Sequence, residues 1–553
     1  MSVTHVELPA SSHIHPPPDT FIKKYVFSLD HKVIAIQYFI TAGLFLVFAG
    51  LLAELMRVQL MGPNNHVLSV AVFNQAYSLH GTAMVWLVGI PIVTGAFGNL
   101  IMPVQIGARD VAFPWLNMLS FWMLPVAGIL VFASLLFGAP QAGWTEYPPV
   151  SLQLPLGESL SLWCAGVFVI GVSSTITGLN FLVTIVKMRA PGMTYTRMPL
   201  FVWATGVTAF LSMIATANLS AALAGLFIQH NFGVPFYDVT RGGAPVLWQH
   251  VFWFYSHPAV YILILPAFGI VSEVIPTFVR RPIFGYKAIA YSSAAIGLLS
   301  FMVWAHHMFT SGLQHWEQLF FMILTMVIAV PTGIKIFSWV TTLWRGKIRL
   351  DSPLLFVLGF LSTFTLGGIT GVMLASVPAD AQEHASYFVV AHIHYVLFGG
   401  TIFGIFAGLY YWWPKMTGRM LDERLGKWHF WLMYIFFNLT FLPMHWAGLM
   451  GMPRRVATYD PMFAGTNLFV SISSFVLAAS ILIFIYNAYR SARYGEPAGP
   501  NPWGARTLEW MIPSPMPYYN FRDVPIVLSG PYDYGKPLPY ANISQDLAMT
   551  PVR

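Results

Sequence analysis

From about residue 25 to residue 494 the chain alternates long apolar stretches with short polar connections. A helix needs about 20 predominantly apolar residues to cross the hydrocarbon of a bilayer. Twelve such stretches are centred near residues 45, 87, 125, 173, 214, 261, 297, 329, 365, 400, 438 and 477. Lipid satisfies no backbone N–H or C=O, so each is expected to be a continuous helix. The connections leave no room for a soluble domain. The pattern predicts an all-α integral membrane protein of twelve transmembrane helices, in three parts. Residues 1–24 form an N-terminal arm, polar at first and flexible around Pro16-Pro17-Pro18, without a signal-peptide pattern. Residues 25–494 form the helical domain, and residues 495–553 an irregular tail rich in Pro and Tyr.

The charges fall in the connections and set the orientation. With the N-terminus inside, the inner loops carry Lys23, Lys24, Lys32, Arg109, Lys187, Arg189, Arg197, Arg280, Arg281, Lys287, Arg345, Lys347, Arg349, Lys415, Arg419, Arg424 and Lys427. The outer loops carry only Arg57, Arg241, Arg454 and Arg455. Basic residues favour the cytoplasmic side, so the N-terminus is expected to be cytoplasmic, in the inner membrane of a bacterium.

Composition agrees: of 553 residues 56% are hydrophobic and 9% charged, against roughly 25% charged in a soluble domain. The formal charge of +7 is scattered, with no basic face or stripe, which argues against nucleic acid. Cys164 is the only cysteine, so the chain holds neither a disulfide framework nor a cysteine metal cluster.

The histidines change the picture. His306-His307 sits in an apolar run, as do His257, four residues before Tyr261, and His392-Ile393-His394. Ionisable residues at membrane depth are costly and mark functional sites, and imidazole is the commonest metal ligand. His80 is about two turns into the second span. At 1.5 Å per residue His257 lies about 18 Å into the sixth. His306-His307 closes the seventh, and His392 and His394 are one to two turns into the tenth. All six therefore lie in the outer half of the membrane. Residues i and i+2 of a helix point about 200° apart, so His392 and His394 suit two separate centres, such as two haems flanking one helix. His257, His306 and His307 can converge on one ion, and three imidazoles with an open position suit copper. His66, His230, His250, His315, His384, His429 and His445 lie at span ends or in loops and most are read as structural.

At this point several motifs match one family. Trp253-Phe-Tyr-Ser-His-Pro-Ala-Val-Tyr-Ile-Leu-Ile-Leu-Pro266, the His306-His307 pair and Val390-Ala-His-Ile-His-Tyr-Val-Leu397 resemble subunit I of the haem-copper oxygen reductases. So do Pro331-Thr-Gly-Ile-Lys335, Gly143-Trp-Thr-Glu-Tyr-Pro-Pro149 and Gly451-Met-Pro-Arg-Arg455. The resemblance runs from about residue 25 to about 490 and implies the twelve-helix fold of that family. It implies His80 and His394 as axial ligands of a low-spin haem, His392 as the proximal ligand of a high-spin haem, and His257, His306 and His307 as ligands of the facing copper. Tyr261 matches the tyrosine cross-linked to the first copper histidine. Cleaving an O–O bond at once takes four electrons, and a tyrosine can supply the last one with a proton. Arg57 matches the arginine at the low-spin haem's edge, Arg454 and Arg455 the pair at the haem propionates, and Trp144 and Trp253 tryptophans near the propionates and copper. Haem A is expected at both sites, with haem B open at the low-spin site.

The resemblance also implies two proton routes. Lys335, Thr332 and Ser272 match a lysine-containing channel leading to Tyr261, with Glu273 at its mouth or snorkelling at a helix end. Asp110, Asn99, Asn117, Ser173 and Ser174 match the second channel. That channel usually ends in a glutamate where this chain has Ala259. Tyr255 and Ser256, four and three residues earlier on one helix face, resemble a branch of the family whose hydroxyls replace it. A phenol is a weaker acid than a carboxylic acid, so a relay with water is expected. A second departure is Ala385, where an aspartate of the outer magnesium or manganese site is expected beside the matching Asp380 and His384.

No cysteine pair for dinuclear copper and no haem c attachment motif is present, so electrons must come through another polypeptide. The positions at which quinol oxidases carry polar contacts are Phe45, Ala49 and Val72, with only Gln75 polar. The resemblance thus implies a proton-translocating cytochrome c oxidase. Its expected partners are a subunit II with dinuclear copper, subunit III and small subunits, cytochrome c, dioxygen and lipid. The competing readings are a quinol oxidase and, outside enzymes, an intramembrane metal transporter or channel. A pure electron-transfer cytochrome would need neither the three-histidine set nor Tyr261.

Overall fold

The computed structural model describes residues 17–153 and 157–543; most of the expected N-terminal arm lies outside them. Among the described residues eleven helices are long and apolar enough to span a membrane. In chain order with one shorter helix they are α1 (His31–Gln59), α2 (Val70–Gln105), α3 (Pro114–Phe137), α4 (Glu158–Lys187), α5 (Leu200–Phe232), α6 (Pro245–Val279), α7 (Tyr286–Ser300), α8 (His315–Leu343), α9 (Ser352–Ala375), α10 (Tyr387–Thr417), α11 (Glu423–Leu449) and α12 (Pro461–Tyr494). The shorter one is α7, whose 15 residues run on into a tight turn at Trp304–Met308. Each expected centre falls within one of these twelve helices.

The helix starts are written locally. Ser69, Asp30, Ser386 and Asp422 stand at N-caps, where side-chain oxygens accept otherwise unpaired backbone N–H groups. The spans are continuous helices, as expected, with local departures from α geometry. α2 carries π-helical turns at Ala83–Gly89 and Pro91–Ala96, and α10 one at Leu397–Ile402. Pro91 has no N–H to donate, and the turns at Ala83 and Leu397 each begin three residues after a candidate ligand, His80 or His394. α8 is interrupted at Ile328, three residues before Pro331.

Burial sorts the helices. α6 is enclosed along its whole apolar window and α2 along most of it, whereas α1 and α8 are largely exposed to the surroundings. The most enclosed helices carry His257 and His80. α10 and α11 approach closely where Gly448 meets Phe388; a Cβ there would stand 2.0 Å from the Phe388 nitrogen. His429 and His445, expected at span ends, lie buried within α11.

The described part of the tail is irregular apart from a short turn at Leu508–Met511 and an antiparallel pair, Ile526–Val527 with Tyr540–Ala541. It is nevertheless packed against the bundle face where α1 begins. Lys32 donates to the Tyr518 carbonyl (2.8 Å) and Asn520 (3.1 Å), Lys415 to the Ile512 carbonyl (2.7 Å), and Tyr532 to Glu273. Glu273 is thereby fully enclosed rather than snorkelling.

Candidate metal and haem centre

His257 on α6 and His306 and His307 in the turn after α7 are the only group of three or more metal-capable side chains found among the described residues, with ligand atoms within 4.8 Å of one another. His257 Nδ1 and His306 Nε2 each stand 3.2 Å from His307 Nε2. Among the described residues His257 Nε2 is buried without a partner, on a ring whose centroid is 4.9 Å from that of Tyr261. Trp253 lies flat on His307 at 3.7 Å between centroids and 16° between planes, and its indole N–H donates to Tyr147.

Second partners settle which nitrogens are free. His306 Nδ1 is 2.9 Å from Thr325 Oγ1, and that hydroxyl donates its own hydrogen to the Phe321 carbonyl at 2.6 Å. The hydroxyl can therefore only accept, so Nδ1 carries the hydrogen and Nε2 presents its lone pair to the cluster. The same argument holds for the other three. His80 Nδ1 faces the Ala49 carbonyl (2.9 Å) and His394 Nδ1 the Val390 carbonyl (2.7 Å). His392 Nδ1 faces the Gly367 carbonyl and Thr370 Oγ1, both at 3.1 Å. All three leave Nε2 for a metal.

His80 and His394 are nearly parallel, 14° between planes, with centroids 6.5 Å apart. A metal–imidazole bond is about 2.0 Å, so two rings on opposite sides of one iron would stand about 6 Å apart; the pair fits a bis-histidine haem. His392 points to the other side of α10. Gly371 forms its cradle: a Cβ there would lie 3.0 Å from His392 Cε1.

Arg57 is buried and donates to Ser471 (3.0 Å), to Asn467 Oδ1 (3.0 Å) and to the Asn467 carbonyl (3.1 Å). Arg455 donates to the Ala142 carbonyl at 3.3 Å, and Gly143, left-handed at φ 89, lies against its guanidinium. Burial, and then Arg455, lowers Arg454 to about 10. Among the described residues no carboxylate pairs with either arginine within 4.0 Å, so this donor set fits an added anion such as a haem propionate. Trp144 packs edge-on against Trp253, 5.7 Å between centroids.

Lys335 is fully buried and donates to Ser293 (2.6 Å) and to the Ile289 carbonyl (2.8 Å) on α7. Thr332 and Ser272, expected beside it, bond their own helix carbonyls, and Ser272 also accepts from Trp339 at 3.0 Å. Asn117 donates to Asn99 (2.8 Å), Ser173 to the Ser120 carbonyl (2.7 Å), and Ser174 to the Ile170 carbonyl (3.1 Å). Asp110 accepts from the Val111 N–H at 2.7 Å, and burial pushes its carboxyl up to about 7. Beside Ala259, Tyr255 accepts from Trp86 at 3.2 Å, and the Ser256 hydroxyl is buried without a partner. His384 bonds Asp380 at 2.8 Å, a two-residue pair rather than a three-ligand site.

Thr325, Thr370, Gly367, Gly371, Ser293, Asn467 and Ser471 carry no signal in the sequence. They are ordinary helix or loop residues until tertiary contact makes them partners.

The family model described as cytochrome c and quinol oxidase polypeptide I matches residues 33–479. The chain is 52% identical to cytochrome c oxidase subunit 1 of Thermostichus vulcanus over 530 residues, 96% of each chain. It is 52% identical to that of Synechocystis over 92% of each, and 46% identical to that of Bacillus subtilis over 91% of this chain and 81% of the relative. A solved haem-copper terminal oxidase dimer shares the fold, with a TM-score of 0.74, 19% identity and 84% of each chain covered.

Proposed function

The chain belongs to the cytochrome c and quinol oxidase polypeptide I family, and from that premise we propose how its residues divide the work. It is the catalytic subunit of a terminal oxidase of the cytochrome c oxidase kind, a bacterial multi-pass membrane protein with haem and copper as cofactors. The carrying observation is the convergence of His257, His306 and His307 beside α10, whose His392 and His394 serve opposite sides.

His80 and His394 hold the low-spin haem, His392 the high-spin haem, and the triad the copper. Bound there, these groups accept electrons and give dioxygen its site. Haem A is our reading for both sites, with haem B open at the low-spin one. Tyr261 holds a proton four residues from His257, next to the unpartnered Nε2 that a covalent link would use. Trp253 fixes the His307 plane by stacking. Arg57, Arg454, Arg455 and Trp144 orient the haem edges and compensate their charge. Lys335, Thr332 and Ser272 carry protons toward Tyr261. Asp110, Asn99, Asn117, Ser173 and Ser174 lead to Tyr255 and Ser256, whose hydroxyls relay protons with water where Ala259 offers no carboxyl.

We place the N-terminus in the cytoplasm and the protein in the bacterial inner membrane, with outward proton translocation. Electrons arrive from cytochrome c through a subunit II carrying dinuclear copper; subunit III and small subunits complete the assembly. A magnesium or manganese ion at Asp380 and His384 would need further ligands from a partner. Quinol is not favoured: Phe45 stacks on Phe132, Ala49 is buried with its carbonyl on His80, and Gln75 is bonded to the Gly138 carbonyl at 3.1 Å. Oxygen uptake by the purified complex, given reduced cytochrome c and a quinol in turn, tests the reading. Cyanide-sensitive uptake with cytochrome c alone is expected. Uptake with quinol alone would overturn the donor assignment.

A further inference from the structure

One buried carboxyl on the face of the arginine pair has no part in the scheme above. Glu146 lies in the loop between α3 and α4 with no exposed surface. Its Oε1 accepts from the Ala142 N–H at 3.2 Å, while Oε2 is buried without a partner among the described residues. The carbonyl of the same Ala142 accepts from Arg455 Nη1 at 3.3 Å. One residue of backbone thus joins the carboxyl, through its N–H, to the guanidinium, through its C=O. Gly143 makes this approach feasible: at φ 89 it has no Cβ, and one built there would stand 2.6 Å from the guanidinium carbon.

The titratable groups that act on this carboxyl, or that it acts on, are Arg455 from the loop before α12, Tyr77 from α2 and Cys164 from α4. Burial raises the Glu146 carboxyl to about 8, outweighing the Ala142 N–H and Arg455, which lower it. The large majority of buried side-chain oxygens have a hydrogen-bond partner. Here one oxygen is left over, beside the cation that the preceding section assigns to a haem propionate.

We propose that Glu146 is a proton-holding residue on the outlet side of the redox centres, protonated when an electron enters beside the Arg454-Arg455 pair and deprotonated when it leaves. The proposal rests on the propionate and translocation readings above. Around pH 8 and above, where the carboxyl is substantially ionised, electron entry forms an O–H bond at Oε2 with a proton delivered through water, and the carboxylate goes from −1 to neutral, offsetting the electron's charge. When the electron passes on to dioxygen the O–H bond breaks, and the proton leaves to water on the face opposite the N-terminus. Glu146 touches neither dioxygen nor the copper ligands; it acts through the charge beside it.

The test uses the whole complex with Glu146→Gln and Glu146→Asp. Redox-induced infrared difference spectra of the wild type should show the C=O stretch of a carboxylic acid that shifts in heavy water. E146Q should lose that band, and E146D should keep it at a shifted position. The midpoint potential of the low-spin haem should depend on pH around pH 8 in the wild type, with a flatter slope in E146Q and recovery in E146D. An unchanged band and slope in E146Q would overturn the proposal. If E146Q fails to retain haem, E146D decides, and a band unmoved in E146D overturns it. Wild-type vesicles that consume oxygen without releasing protons would overturn the translocation reading alone, while the band and the slope still judge Glu146.

Discussion

The hydroxyl of Thr325 decides how well one proposed copper ligand, His306, is presented. Its hydrogen is committed to the Phe321 carbonyl at 2.6 Å, so it can only accept from His306 Nδ1–H at 2.9 Å. That holds the His306 ring and places the lone pair on Nε2, 3.2 Å from His307 Nε2. Thr325→Val keeps the volume and removes the acceptor. A buried N–H left unpaired costs about 1–3 kcal/mol, and losing a partner behind a metal ligand typically weakens binding about 10–100-fold. The two ranges agree, since about 1.4 kcal/mol is a factor of ten. Copper retained per haem, measured against a graded series of copper chelators, should therefore fall off at a chelator strength about 10–100-fold lower in T325V. Thr325→Ser restores an acceptor and should return most of the affinity. Haem content should be unchanged, because Thr325 touches none of the haem histidines. A T325V curve that overlays the wild type, with haem intact, would refute the tautomer argument.

Gly371→Ala places a methyl 3.0 Å from His392 Cε1, so the imidazole must give by a few tenths of an ångström; partial loss of high-spin haem absorption is expected, and larger loss for Gly371→Val. Unaltered spectra in both variants would show that His392 has room to move. Asp110, raised to about 7 by burial from about 3.9 in a free chain, binds a proton in the fold that the unfolded chain gives up. Stability should therefore fall as pH rises from about 4 to about 7. Thermal unfolding in detergent should show a shallower pH slope in Asp110→Asn, and equal slopes would refute this. Lys335→Met removes the donor to Ser293 and Ile289 and should slow steady-state turnover at least ~100-fold if proton transfer depends on it, with Ser293→Ala falling between. Wild-type turnover in K335M would exclude Lys335 from the proton route.

What could be read from the chain, and what could not, divides by the range of the interaction. The spans were legible because lipid offers no partner to backbone polar groups, a constraint that acts on each segment by itself; the N-caps Ser69, Asp30, Ser386 and Asp422 emerge only from the structure. The six histidines stood out for a similar reason: an imidazole in an apolar run is conspicuous without knowledge of its neighbours. The widened turns after His80 and His394 were missed, because Pro91 signals a break but not its kind, and nothing in Leu397–Ile402 signals one. Partners were the least legible. Lys335 invites pairing with Thr332, one turn away, yet Thr332 bonds its own helix and the ammonium turns to Ser293 on α7. Glu273 near a helix end reads as a residue reaching for water; only the tail, more than two hundred residues later in sequence, encloses it through Tyr532. A single helix face tells which residues share a side. It does not tell which neighbouring helix arrives there, and that arrival decides which nitrogen of each histidine is left for a metal.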